Sequence, residues 1–372
     1  MDNIMEMKIT ICGNYGATNI GDEMILEGIL NILKPLNADI TVLSNDPIKT
    51  EKEHNVKSAH LVPSGLRSFV KGIFSGSIWS TFSEIAKCDV FILGGGGLLT
   101  DEKPFAIIIW SIQAAVARFY KKPVFCFAQS IGPLKTLFGK FMTKRILVKS
   151  KIITVRDYGS YELINKMGVK HALTLADPAF ALDLYDGDNR DDDYVLFTIR
   201  PWIKGDTDKI YADLKILVDF IWTTYGLKSV FVPFQAYKDD DRKEMDKLKS
   251  IMVADSHVTF LKYSHDIKDI FQVFHMAKFV VGMRLHSLIM SALAGKPMIA
   301  LSYSNKVKDF MHTIDMNNYV IEFDQFNAEA GQNKVTRLMD EYSHLQKIIS
   351  EKVDYMHMKA NEHLDLIMEI TA

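Results

Sequence analysis

Cysteine is scarce in this sequence. The 372 residues hold three, Cys12, Cys88 and Cys126, each in or beside an apolar run. No two make a C-x-x-C pair, so neither a zinc ribbon nor a disulfide framework is expected, and buried free thiols suit a reducing compartment. An excess of charge is missing too. Forty-four Lys and Arg face 46 Asp and Glu, for a formal net charge of −2. Such a chain has no global field to draw nucleic acid, so nucleic acid is excluded as a partner and any anion affinity must be local. No uncharged apolar stretch reaches the ~18 residues that a transmembrane helix needs. The opening MDNIMEMKITI carries acids where a secretory signal carries basic residues. The expected location is the cytoplasm. Metal-ligand spacing is lacking as well: Asp22, Asp101, Asp157 and Asp177 are scattered and have no paired histidines.

What is present is an alternation of short β-branched runs with helical patterns. Lys8 to Gly13 makes a buried-strand pattern. The turn-rich loop NYGATNIGDE follows, and from Asp22 the apolar spacing becomes helical through Leu33, ending at Pro35. Asp22 and Glu23 fall in the first helical turn, where carboxylates suit the helix dipole. The loop is either a well-capped joint or a place where Asn19, Gly21 and Asp22 meet a sugar hydroxyl. It is not the G-x-G-x-x-G fingerprint, so no nicotinamide cofactor is expected.

Leu66 to Ile85 has near-helical apolar spacing with a Gly-Ser interruption. Asp89 to Leu93 is a strand pattern running into Gly94 to Gly97, where backbone approaches a neighbour or ligand closely. Phe105 to Tyr120 is expected as a helix, Pro123 to Ala128 as a strand, and Gln129 to Pro133 as its turn. Lys135 to Lys151 holds six basic residues and no acid, interleaved with Leu137, Phe138 and Phe141. It is an amphipathic surface helix, or one suited to anionic lipid. Ile152 to Val155 is a strand that delivers Arg156 at its carboxyl end.

Asp183 to Asp193 (DLYDGDNRDDD) is the best linker in the chain. Strands and helices alternate again beyond it, which predicts two α/β domains with parallel sheets, residues 1–185 and 186–372. In the second, Phe279 to Lys308 reads strand, helix, strand, helix. Arg284, Leu285 and His286 sit at the first strand-to-helix joint, and Lys306 at the second. Ligands of open parallel sheets lie at the strands' carboxyl ends, where fresh helix N-termini present N–H groups to anions. Met339 to Met368 is a long helical tail, expected to pack back across the domains.

Six motifs then line up in order: GNYGATNIGDE, ILGGGGLLTD, QSIGPL, VRDYGSYELINKMGV, DPAF and GMRLHSLIMSALAGKPMIALSYSNKVKDFM. Together they resemble the polysaccharide pyruvyl transferase family over nearly the whole chain to the Asp309 region. The resemblance implies a glycosyltransferase-B-like (GT-B-like) fold, with two Rossmann-like domains facing across a cleft. It implies phosphoenolpyruvate as co-substrate, with no further cofactor, and transfer of its pyruvyl group as a ketal onto a sugar of a cell-surface polysaccharide or a lipid-linked precursor. The donor would meet Arg156, Arg284, Leu285 and Lys306, with His286 as the general acid. Asn19, Gly21 and Asp22, joined by Gly95, Gly96 and Gln129, are the candidate acceptor-binding residues. Apart from the resemblance, a lipid-linked acceptor would suit the aromatic and basic stretches Phe69 to Phe82 and Lys135 to Lys151, which adds a peripheral contact with the inner face of the membrane to the expectations.

The chemistry asks for such residues. Phosphoenolpyruvate carries close to three negative charges, which call for several cations and helix N–H donors, and Arg binds carboxylate or phosphate bidentately. Protonating its methylene carbon needs an acid with a pKa near working pH, which histidine supplies. Two other readings stay open: a nucleotide-sugar glycosyltransferase of the same fold, and a non-catalytic carbohydrate-binding member of a polysaccharide assembly complex.

Overall fold

The computed structural model describes residues 6–102, 106–184, 194–201, 207–236, 240–252 and 256–371. Most of the acidic linker, residues 185–193, lies outside them. The described chain divides into two compact units. The first takes the N-terminal stretch to Ala17, Asp22–Leu182 and the C-terminal stretch from Met356. The second takes Thr18–Gly21 and the chain up to Tyr355.

The first unit runs β1 (Lys8–Cys12), α1 (Ile20–Leu33), β2 (Asp39–Ser44), α2 (Pro47–His54), β3 (Lys57–His60), α3 (Leu66–Ser75), α4 (Ser77–Lys87), β4 (Val90–Leu93), α5 (Ala106–Phe119), β5 (Val124–Gln129), α6 (Leu137–Val148), β6 (Ile152–Val155), α7 (Tyr158–Lys166) and β7 (Ala172–Thr174). Its strands form one sheet in the order β3-β2-β1-β4-β5-β6-β7, and every pair is parallel. β4 and β5 are buried at every position, as expected of a parallel sheet covered on both faces. One core on this sheet gathers Phe91, Trp110, Ala114, Cys126, Ile146 and Ile164 from β4, α5, β5, α6 and α7.

The second unit continues with β8 (Tyr194–Thr198), α8 (Thr207–Tyr225), β9 (Lys228–Phe231), α9 (Asp241–Ile251), β10 (Val258–Phe260), α10 (Ile267–His275), β11 (Val280–Gly282), α11 (Leu285–Leu293), β12 (Met298–Ser302), α12 (Asn305–Thr313), β13 (Val320–Glu322), α13 (Ala328–Asp340) and α14 (Tyr342–Asn361). The end of α14, from Met356, and the final helix, α15 (His363–Thr371), belong to the first unit. The second sheet has the order β10-β9-β8-β11-β12-β13 and is also wholly parallel.

Two stretches differ from their patterns. Leu66 to Ile85, one near-helical run in sequence, is two helices that turn at Gly76, whose φ of 80° an L side chain rarely adopts. The C-terminal tail is broken twice, at Glu341 and Glu362, into α13, α14 and α15. α15 buries His363 in the first unit, stacked on Phe127 with ring centroids 4.0 Å apart. Burial pushes that imidazole down to about 4. Its Nε2 lies 3.0 Å from the Thr154 hydroxyl, which accepts the Ala128 amide at 2.7 Å. The helix therefore braces the irregular end of β5.

Candidate functional site

In a parallel sheet all strand carboxyl ends share one edge, and several of the joints on those edges carry predicted site residues. In the first unit these joints follow β1, β4, β5 and β6, neighbours in the sheet. After β1, the Asn14 amide donates to Asp22 at 2.8 Å, and the Gly16 amide donates to Glu23 at 2.9 Å. Tyr15 is wholly buried, and its ring fills the space where Gly13 and Gly94 lack a side chain. Those two glycines admit the ring, and the ring fixes the loop. After β4, Gly96 adopts φ 101°; Ile25 of α1 packs on Gly95, and Asp22 Oδ1 lies 3.6 Å from where a Gly96 Cβ would stand. After β5, Gln129 is fully buried. Its amide nitrogen donates to the carbonyls of Leu93, at 2.9 Å, and Gly94. The side chain thus acts on the glycine run it holds. After β6, the Arg156 amide donates to the Gln129 carbonyl at 3.3 Å. The Arg156 guanidinium is ion-paired with Asp177, both almost wholly buried. The structure therefore brings Asp22, Gly95, Gly96, Gln129 and Arg156 together along one edge.

The second unit gathers the others. β11 ends at Gly282, and Arg284 precedes α11. Arg284 Nε lies 3.1 and 3.0 Å from the two carboxylate oxygens of Asp241, and its Nη2 also donates to that group. Asp241 is 0% exposed. Its Oδ2 also accepts the amides of Phe234, at 2.9 Å, and Gln235, at 3.0 Å. Burial pushes this carboxyl up, against the pull of Arg284 and the two amides. The same backbone carries the loop after β1: the Ile20 amide donates to Phe234 O at 3.2 Å, Asn19 bridges Gln235, and Thr18 O accepts from Ala236 N and the Tyr263 hydroxyl. The Asn19 side chain turns back to accept the Gly21 amide at 3.1 Å. Gly21 then lies directly on His286: a Cβ there would overlap the imidazole at Nδ1. So Asn19, Gly21, Arg284, Leu285 and His286 form one cluster, linked through Asp241.

Lys306 lies one strand over, half-buried in the first turn of α12 after β12. α11 and α12 have no side-chain cap on their N-termini, whereas Asp157, Asp240, Asp266 and Asn327 cap α7, α9, α10 and α13. At both ends the Ser287 and Val307 amides turn back onto the carbonyls of the N-cap residues Arg284, at 3.0 Å, and Ser304, at 3.2 Å, and the positive end of each helix dipole favours an anion.

Two residues of this edge were not singled out from sequence. Asp241 stood within a run of acids at an ordinary helix start. Arg200 follows β8 as Arg284 follows β11: Thr198 and Gly282 are register partners, and each arginine stands two residues beyond. Its guanidinium lies 4.2 Å from the centre of the Tyr303 ring. The signal available was that shared with Arg156, a lone cation closing a strand. A further group was unread. His54 Nδ1 is 2.7 Å from Glu27 and its Nε2 is 3.1 Å from Glu23. Its burial lowers the pKa, but the two carboxylates outweigh that and raise it to about 9. Glu23, Glu53 and His54 place donor atoms within 4.8 Å of one another, but both ring nitrogens are already engaged. This is an ion-pair clamp between α1 and α2.

The profile of the family described as polysaccharide pyruvyl transferase matches residues 19–305. No curated protein matches the chain. Among solved structures, a Listeria monocytogenes protein described as a candidate UDP-N-acetylglucosamine 2-epimerase superposes with a TM-score of 0.69 at 10% identity, over 97% of this chain and 96% of that one. Anabaena HepE, in complex with UDP and glucose, gives 0.62 at 14%, over 98% and 100%. The Neisseria meningitidis UDP-GlcNAc 2-epimerase bound to UDP-GlcNAc gives 0.64 at 11%, over 98% and 99%. At such identities the likeness is one of fold: two Rossmann-like α/β units of GT-B type.

Proposed function

The chain belongs to the polysaccharide pyruvyl transferase family, and from that premise we propose that it forms a pyruvyl ketal on a sugar, with phosphoenolpyruvate as donor. The observation that carries this reading is the seat of Gly21 on His286, with Arg284 two residues before that imidazole. A loop suited to sugar hydroxyls thereby adjoins a proton donor at a cationic helix start.

In this reading Arg284, Lys306 and the positive dipole ends of α11 and α12 bind the carboxylate and phosphate, with Arg200 as a further cation on the same edge. Arg156 adds a donor contact, and Asp177 keeps it oriented. Leu285 lines the donor, while Asn19, Gly21, Asp22, Gly95, Gly96 and Gln129 shape the acceptor side. His286 gives a proton to the methylene carbon, which becomes the methyl group, and the adjacent carbon becomes an oxocarbenium-like electrophile. One sugar hydroxyl attacks it. The C–O bond to phosphate breaks, and a second hydroxyl closes the ketal. Of the two hydroxyl hydrogens, one replaces the proton spent by His286 and the other leaves with phosphate. The acceptor is a surface polysaccharide unit or its lipid-linked precursor.

The test is mass spectrometry of candidate glycans after incubation with phosphoenolpyruvate or, in parallel, a UDP-sugar. A pyruvyl increment with release of phosphate is expected, and His286→Ala should lower it by roughly 10²–10⁴-fold, the range for a general acid. Consumption of the UDP-sugar alone would make the chain a glycosyltransferase. Near-normal ketal formation by a folded His286→Ala protein would remove His286 from the mechanism.

A further inference from the structure

The charge balance of the whole chain hides a lopsided first unit. From Ala106 to Arg156 there are ten Lys and Arg and no acid, and from His54 to Ser83 there is again no acid. These stretches supply α3, α5, α6 and most of α4. The helices pack in series: α3 on α4 at Gly72, where Ile78 fills the missing side chain, α4 on α5 through Phe82 and Tyr120, and α5 on α6. The one acid of α4, Glu84, is engaged by Lys57 at 2.7 Å.

What these helices turn outward is apolar as well as basic. On α3 and α4, Phe74 is 87% exposed and Trp79 61%, beside exposed Arg67 and Lys71. On α6, Leu137 is 85% exposed and Phe141 60%, with Phe138 between them. The outward residues of α6 are all either apolar or basic; Lys140, Lys144 and Arg145 are exposed among them, and Lys149 is exposed at the helix's C-cap. Single exposed apolar residues are ordinary on a protein surface. Aromatic and aliphatic side chains interleaved with cations, on helices of one packed series without a free acid, are the composition of an interfacial surface. Among the described residues no helix is long and apolar enough to cross a membrane, so any such contact is peripheral.

We propose that the face built by α3, α4 and α6 docks on a bilayer rich in anionic phospholipid. Lysines and arginines meet the headgroups, and Phe74, Trp79, Leu137, Phe138 and Phe141 enter the interface. The proposal deepens the acceptor half of the function above by placing the enzyme where a lipid-linked saccharide resides. Its test uses neither donor nor acceptor, so the docking face and the ketal chemistry can fail separately.

The experiment is flotation of the full chain with vesicles of phosphatidylcholine containing about 30 mol % phosphatidylglycerol, against phosphatidylcholine alone, at about 0.05 M and about 0.5 M salt. Binding is expected on the anionic vesicles at low salt, with a drop of at least tenfold at high salt. Each cation near such a surface raises partitioning about fivefold, so K140E/K144E/R145E should weaken binding by at least ~100-fold. L137S/F138S/F141S and F74S/W79S should each weaken it by about tenfold or more. All these variants should keep wild-type circular dichroism and Tm. Absence of flotation on anionic vesicles would overturn the proposal, as would flotation that these variants leave unchanged. So would a concentration-dependent dimer, seen by sedimentation and dissolved by L137S/F138S/F141S, in a protein that ignores vesicles. The face would then be a contact between copies.

Discussion

Asp241→Asn removes one charge and almost no volume. In the wild type a fully buried carboxylate faces Arg284, which is 12% exposed, and accepts two backbone amides. The asparagine keeps one oxygen for those amides but takes the Asp241 charge away from the guanidinium. Removing one partner of a buried ion pair costs about 3–5 kcal/mol, and the slight exposure of Arg284 favours the low end. At about 2–4 °C per kcal/mol for a unit of this size, a loss of ~3 kcal/mol lowers the second unit's Tm by ~6–12 °C. The donor alters this outcome. If Arg284 binds phosphoenolpyruvate, the ligand's own carboxylate or phosphate fills the role of the lost Asp241 carboxylate. Saturating phosphoenolpyruvate should then raise the variant's Tm by several degrees more than it raises the wild type's. Differential scanning calorimetry with and without donor measures both quantities. A variant Tm within ~2 °C of wild type would refute the assigned strength of the pair. Equal donor-induced shifts in the two proteins would refute the link between Asp241 and the donor.

Stability should peak near pH 6.5, because two histidines titrate in opposite senses. His54, with a folded pKa of about 9 against 6.5 unfolded, contributes fully below pH 6.5 and loses its contribution as pH rises through 9. His363 is held neutral until about pH 4, while the unfolded chain takes up its proton near 6.5, so stability falls as pH drops across that interval. Each pair of values spans about 2.5 pH units, or about 3 kcal/mol. Urea titrations should show the alkaline limb flattened in His54→Gln and the acid limb in His363→Gln; unchanged limbs would exclude these assignments. Gly21→Ala should lower kcat by roughly 100-fold, since its Cβ forces the imidazole or the loop from its place. Steady-state kinetics beside a Tm measurement decide it, and normal kcat would mean that the Gly21–His286 contact has no part in turnover.

The alternation of β-branched runs with helical spacing made both sheets legible, since period and strand length are local properties. The strand-end positions of Arg156, Arg284, His286 and Lys306 were legible for the same reason. Burial and partner choice were not. Asp241 lies in a run of acids, and nothing in that run says that one of them faces a guanidinium while its neighbour Asp240 caps a helix. His54, within TEKEH, looks like a solvated helix end, and becomes a clamp only because α1 and α2 bring Glu23 and Glu27 to it. The break at Gly76 was ambiguous because a helical spacing on either side of one glycine fits a bent helix as well as two helices.

The return of α15 to the first unit has a consequence for synthesis on the ribosome. The end of β5 is braced by a histidine encoded more than two hundred residues later. The early part of the chain must therefore wait, its sheet incompletely covered, while the whole second unit is translated. Domains usually mature one after another as they emerge. Here the first to be made is the last to be finished, and a nascent chain stalled before residue 356 should keep recruiting chaperones to its front half.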